Sequence, residues 1–102
     1  MSSIEGSDIK KVIVACDAGM GSSVLLTSQL QRTLKAYGVT VAHSPVDRVP
    51  ADADLVLCHT GLADRARARV PDKVVIAFQM YLGDPVFARV EQAIRDGGTL
   101  AD

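Results

Sequence analysis

Hydrophobic positions along this chain change their spacing several times, and each change marks an element. "KVIVAC" (11–16) is an apolar, β-branched run without polar alternation, the pattern of a strand covered on both faces. From Ser22 the spacing becomes helical. Leu26, Leu30, Leu34 and Tyr37 share one face, with Gln29, Arg32 and Lys35 on others. Gly38 follows as the stop. "VTVAH" (39–43) predicts a second strand. "SPVDRVPADAD" (44–54), with two prolines and three aspartates, predicts mostly loop. "LVLCH" (55–59) is a third buried strand. Thr60 is placed to cap a helix running through Val70, ended by Pro71. "KVVIAF" (73–78) is a fourth strand and "MYLG" (80–83) a loop. Asp84 as N-cap and Pro85 at the first helical position open a last helix. Its buried face carries Val86, Val90 and Ile94, and Gly97-Gly98 ends it.

Buried strands separated by helices imply an α/β fold with a parallel sheet and right-handed crossovers. Four strands and three main helices predict a small three-layer sandwich, Rossmann-like, with strand order 2-1-3-4. Residues 10–98 form its single domain, residues 1–9 a flexible lead-in and 99–102 a tail. The chain has no internal repeat and no low-complexity tract. In such sheets ligands sit beyond the carboxyl ends of the strands, at the switch point. Cys16 ends the first strand. In the expected order Cys58-His59 ends its neighbour, so both would open onto one crevice.

Composition narrows the function classes. The 102 residues suffice for one modest core, aliphatic because only 4% are aromatic. A formal net charge of −1 gives no broad attraction to nucleic acid or to an anionic membrane. No apolar run approaches the roughly 18 residues of a membrane span. "MSSIEGSDIKK" has no hydrophobic stretch after a basic start, so it is not a secretory signal. Two isolated cysteines make no disulfide framework. A reducing, cytoplasmic setting is expected, where a cysteine is either chemical or simply buried.

"VIVACDAGMGSS" (12–23) carries the candidate chemistry. Its loop lies between the carboxyl end of a strand and the start of a helix, where backbone N–H groups lack intrahelical partners. Gly19 and Gly21 allow successive amides to point inward, giving an anion nest with the Cys16 sulfur at its rim. The same field favours thiolate over thiol. Ser22 and Ser23 add hydroxyl donors. A phosphoryl group on that sulfur fits the nest. Glycine-rich turns also open ordinary strand-helix units, and a strand-end cysteine also serves as a small hydrophobe. The loop does not match the nucleotide-cradling pattern, because Ser22 follows Gly21 where lysine is required. It does not match G-x-G-x-x-G, because the third residue after Gly21 is Val24. Cysteine phosphatases use C-x5-R, and here Ser22 holds the arginine position. Such a loop holds phosphocysteine without the group that speeds its hydrolysis, which favours a phosphate carrier.

"ACDAGMGSS" (15–23) resembles the active-site signature of the enzyme IIB domains of the bacterial sugar phosphotransferase system, mannitol-type branch most of all. "ADADLVLCH" (51–59), "LADRA" (62–66), "VP" (70–71) and "VVIAF" (74–78) follow that branch in order and spacing, over roughly residues 10–96. The resemblance implies a phosphotransferase. Such a domain takes phosphate from a phosphohistidine on enzyme IIA and passes it to a sugar or sugar alcohol bound by the membrane enzyme IIC. It implies Cys16 as the phosphorylated nucleophile and Asp17, Ala18, Gly19, Met20, Gly21, Ser22 and Ser23 as the phosphate loop. It also implies recruitment to the inner face of the membrane by enzyme IIC, without membrane insertion, nucleic acid, cofactor or metal. Two departures flank this region. Val24-Leu25-Leu26-Thr27 stands where the branch has small residues, and Thr60-Gly61 where it has a basic-acidic pair. A low-molecular-weight cysteine phosphatase or arsenate-reductase-like enzyme, or a non-catalytic phosphate-sensing module, are the alternatives.

Other singled-out residues have plainer expectations. Cys58 reads as core packing, with a redox pairing to Cys16 conceivable if their strands are neighbours. His59 is a possible supporting residue for the phosphoryl group. His43 reads as an exposed edge residue. Arg65, Arg67 and Arg69 read as a solvated helix face. Met20 and Leu25 flank the loop, with Met20 expected at an exposed tip.

Overall fold

The computed structural model describes residues 3–16, 21–80 and 83–101, and of residues 21–23 the backbone alone. Nine elements follow in chain order. They are β1 (Ser3–Glu5), β2 (Lys11–Cys16), α1 (Gly21–Leu34), β3 (Thr40–Pro45), β4 (Leu55–His59), α2 (Ala63–Arg69), β5 (Val74–Phe78), α3 (Pro85–Asp96) and β6 (Thr99–Ala101). Four strands form an all-parallel sheet in the order β3-β2-β4-β5. The strand counted first in the sequence is β2, because β1 precedes it.

The sheet is covered on both faces, as its apolar strands require. On one face Val12, Val14, Leu55, Leu57, Val74, Ile76 and Phe78 pack with Leu26, Leu30 and Leu34 of α1 and with Val90, Ala93 and Ile94 of α3. On the other, Ile13, Ala15, Val56, Cys58 and Val75 pack with Ala63 and Ala66 of α2 and with Val46, Val49 and Ala53 from the β3–β4 connection. This is a three-layer α/β sandwich. The register of its middle strands is pinned at their amino ends. The Lys10 and Lys11 backbone N–H groups donate to Asp54 Oδ2 at 2.8 and 2.9 Å, and the Asp54 N–H donates to the Lys11 carbonyl at 2.9 Å.

Local signals placed most helix ends. α1 tightens into a 3₁₀ turn over Lys35–Tyr37, and Gly38 ends it at φ +73°, a left-handed conformation that costs glycine little. Asp84 caps α3 by accepting from the Val86 N–H at 2.9 Å, with Pro85 in the first turn, and Gly97 closes it.

Three expectations differ from the structure. The second strand is Thr40–Pro45, not 39–43, and brings Ser44 beside Ala15 and Pro45 beside Cys16. Because β3 is an edge strand, a terminal proline costs it little pairing. The segment 60–70 is a 3₁₀ turn over Thr60–Leu62 followed by the short α2, and its cap is the His59 side chain, not Thr60. Finally, the expected lead-in and tail contain β1 and β6, which pair antiparallel with Ile4 opposite Leu100. Leu100 is buried in the α1/α3-side core, with Ile4 packed against it. Strands of three residues show no readable period, so only their partner across the chain reveals them.

Candidate active site

The carboxyl ends of β2 and β4 form the switch point of the sheet. From β2 the chain moves through α1 to β3 on one side, and β4 then lies on the other side of β2. Cys16 ends β2 and His59 ends β4. Ala15 pairs with Cys58, so Cys16 and His59 are the next residues along two neighbouring strands.

The pleat decides which side chains meet. Alternation puts Cys16 on the face of Val12 and Val14, and His59 on the face of Leu55 and Leu57. These four belong to the same core, under α1 and α3. Cys58 lies in the opposite core, under α2. Cys16 and Cys58 therefore point to opposite sides of the sheet, and both are free thiols. Adjacent strands do not make them a redox pair.

Cys16 is 6% exposed, and its thiol donates to the Ser44 carbonyl oxygen at 3.6 Å. Ser44 was not foreseen there, because its segment read as loop. Cys58 is fully buried, and burial pushes its thiol up to about 11. It is an inert core residue.

His59 Nδ1 accepts from the Gly61 N–H at 3.2 Å. On its other side Phe78, its register partner on β5, meets the imidazole edge to face at 6.2 Å between centroids. Phe87 of α3 backs Phe78 at 5.2 Å. The β5–α3 connection is tied down by Asp84, whose Oδ2 accepts from the Gln79 and Met80 N–H groups at 2.8 and 3.1 Å. The Asp84-Pro85 pair announced the cap, but nothing in the sequence announced this second use of the carboxylate.

Asp17, Ala18, Gly19 and Met20 lie outside the described residues, so the expected exposure of Met20 is among the readings not described. The backbone of Gly21, Ser22 and Ser23 forms the first turn of α1. Around this edge of the sheet, Val24 is 46% exposed, Leu25 64% and Met80 51%. They are the exposed large hydrophobic residues among those described. Other singled-out residues lie apart from the site. His43 is exposed on the edge strand β3. Arg65, Arg67 and Arg69 are exposed on α2, and Arg65 pairs with Asp47 at 2.9 Å.

Residues 11–91 match the family described as "PTS system, Lactose/Cellobiose specific IIB subunit". The chain belongs to this IIB family. Among curated proteins it is 32% identical over 96 residues to the PTS system mannitol-specific EIICB component of Bacillus subtilis, covering 92% of this chain and 20% of that protein. It is 41% identical over 81 residues to the mannitol-specific cryptic EIICB component of Escherichia coli K12, covering 78% and 17%. It is 36% identical over 86 residues to the mannitol-specific EIICBA component of Vibrio cholerae, covering 82% and 13%. The IIB chain thus spans a fifth or less of the length of these relatives. The family match begins with β2 and ends within α3, so it takes in the whole parallel sheet and leaves out β1 and β6. Among the described residues, no helix is long and apolar enough to cross a membrane.

Proposed function

We propose that this IIB domain is a phosphocysteine carrier of the mannitol type, with Cys16 as the phosphorylated residue. The Cys16 sulfur, as thiolate, attacks the phosphorus of a phosphohistidine on enzyme IIA. An S–P bond forms as the N–P bond breaks, and the imidazole nitrogen leaves with the bonding electrons. In the second transfer a hydroxyl oxygen of a sugar alcohol held by enzyme IIC attacks the same phosphorus. An O–P bond forms, the thiolate leaves, and the hydroxyl proton is released. Residues 17–23 supply the amides and hydroxyls that hold the phosphoryl group between these steps. Such catalysis is positioning and electrostatic stabilisation, with no change in the protein's redox state.

The observation that supports this reading best is the place of Cys16: the carboxyl end of β2, at the switch point of the sheet, with α1 beginning at Gly21. Orphan N–H groups at a helix start favour an anion there. Val24, Leu25 and Met80, large apolar residues exposed at the carboxyl edge of the sheet, support a protein partner there. Fusion of the matching segment to C components in the relatives supports enzyme IIC as one such partner, and recruitment to the inner face of the membrane.

The test is direct. Incubated with phosphorylated enzyme IIA, the domain should gain one phosphoryl group, located on Cys16 by mass spectrometry, and Cys16→Ala should gain none. Label on His59, or full labelling of Cys16→Ala, contradicts the proposal. Brisk turnover of an aryl phosphate by the isolated domain would favour the cysteine-phosphatase reading instead.

A further inference from the structure

We propose that His59 donates a hydrogen bond, through Nε2–H, to the phosphoryl group carried on Cys16. This rests on the phosphocysteine reading above. Four observations lead to it. The register makes Cys16 and His59 neighbours at the ends of parallel strands, which run about 4.8 Å apart. The pleat sends both side chains to the same face of the sheet, whereas Cys58 goes to the other. The Gly61 N–H donates to Nδ1 at 3.2 Å, so Nδ1 carries a lone pair and the ring proton of the neutral imidazole sits on Nε2. Phe78 then meets the ring edge to face at an interplanar angle of 88°, which opposes its rotation.

Gly61 and Phe78 thereby fix the tautomer and orientation of the imidazole at the strand end next to that of Cys16. A phosphoryl group brings close to two negative charges and three acceptor oxygens. A neutral N–H stabilises it by a charge-assisted hydrogen bond. A lysine or arginine in that place would bind it as an ion pair and hold it more tightly than a carrier requires.

Two substitutions separate the donor from the cap. In His59→Asn the side-chain oxygen can still accept from the Gly61 N–H, as asparagine does at helix starts, but nothing reaches the Nε2 position. In His59→Gln the longer amide places an N–H near that position. Phosphoryl transfer from phosphorylated enzyme IIA to His59→Asn should slow by about 10-fold or more, as expected for losing a hydrogen bond to a charged group. Its melting temperature should stay near that of the wild type, and His59→Gln should recover to within about 3-fold of the wild-type rate. Histidine ¹⁵N spectra give a readout that a purely structural role would not move. Nε2 should carry the proton in the free protein, and its resonance should shift when Cys16 is phosphorylated. Wild-type rates in His59→Asn overturn the inference, and so does a slowed His59→Asn whose wild-type Nε2 resonance ignores phosphorylation. In both cases phosphocysteine itself stands. If wild-type Cys16 takes no label, the phosphocysteine reading falls and this inference falls with it.

Discussion

Cys16 and Cys58 are the same residue type near the ends of neighbouring strands, on opposite faces of the sheet. Cys58 has no access to water, and desolvation of the thiolate dominates, with Arg67 opposing it. The sign of the consequence follows from linkage. An unfolded thiol titrates near 9.0, whereas native Cys58 holds its proton up to about 11. Between these values the native state binds more protons than the unfolded one, so stability falls as pH rises, by up to about 1.4 kcal/mol per pH unit. Below that window Cys58 contributes no pH dependence. Denaturant unfolding of wild type and Cys58→Ala should show this. The stability difference between them should be flat near neutral pH and shift against the wild type from about pH 9 to about pH 11. A difference that stays flat throughout would mean that the native thiol is accessible after all.

At the scale of the elements, one carboxylate, Asp84, serves both the start of α3 and the residues that follow β5. Asp84 accepts from the Val86 N–H as the helix cap, and from the Gln79 and Met80 N–H groups in the loop before it. These backbone bonds, Val86 first, hold its carboxyl below the usual carboxylate value of 3.8. A depressed carboxyl stabilises the fold above its unfolded value, and that contribution is lost as pH falls through the native one. Asp84→Ala should cost about 1 kcal/mol, the usual value of a cap. Asp84→Asn keeps an acceptor for Val86 but replaces the oxygen that serves Gln79 and Met80 with a donor. Its melting temperature should lie below the wild type at pH 7, and the gap should close as the solution is acidified below the carboxylate range. A gap that persists in strong acid would assign the loss to packing and not to the charge.

At the scale of the whole molecule, the two ends of the fold are built differently. The carboxyl edge of the sheet holds Cys16, His59 and the exposed Val24, Leu25 and Met80. At the opposite end the β1–β6 ribbon closes against the last turn of α3. Gly6 makes that closure possible. Its N–H donates to the Gly98 carbonyl at 2.7 Å, and any Cβ there would overlap the Ala93 carbonyl of α3. Backbone cannot yield as a flexible side chain does, so Gly6→Ala should cost about 1–3 kcal/mol, as overpacking does. Thermal melts should show the loss, while acceptance of phosphoryl from enzyme IIA, assayed well below the melting temperature, should stay at the wild-type rate. An equal fall in transfer would show that the two ends are coupled.

Much of this organisation was legible along the chain. The strands at Lys11–Cys16 and Leu55–His59, the stop at Gly38, the Asp84-Pro85 start and the Gly97 end all follow from local rules. Apolar runs need cover, helix starts need acceptors, and glycine tolerates positive φ. The start of α1 was legible too, because the apolar strand run stops at Cys16 and helical spacing takes over soon after it. Four features became definite only in three dimensions. The extension of β3 to Pro45 depends on its being an edge. β1 and β6 exist only by pairing with each other. The cap on the β4–α2 turn comes from His59, because its ring is turned back toward Gly61. The separation of Cys16 from Cys58, and the placing of Cys16 and His59 at neighbouring strand ends on one face, depend on register and pleat together. Periodicity tells which residues share a face within one strand. Which faces of two strands coincide is set by their alignment, and that alignment is decided by contacts distant in sequence, such as Asp54 with Lys10 and Lys11.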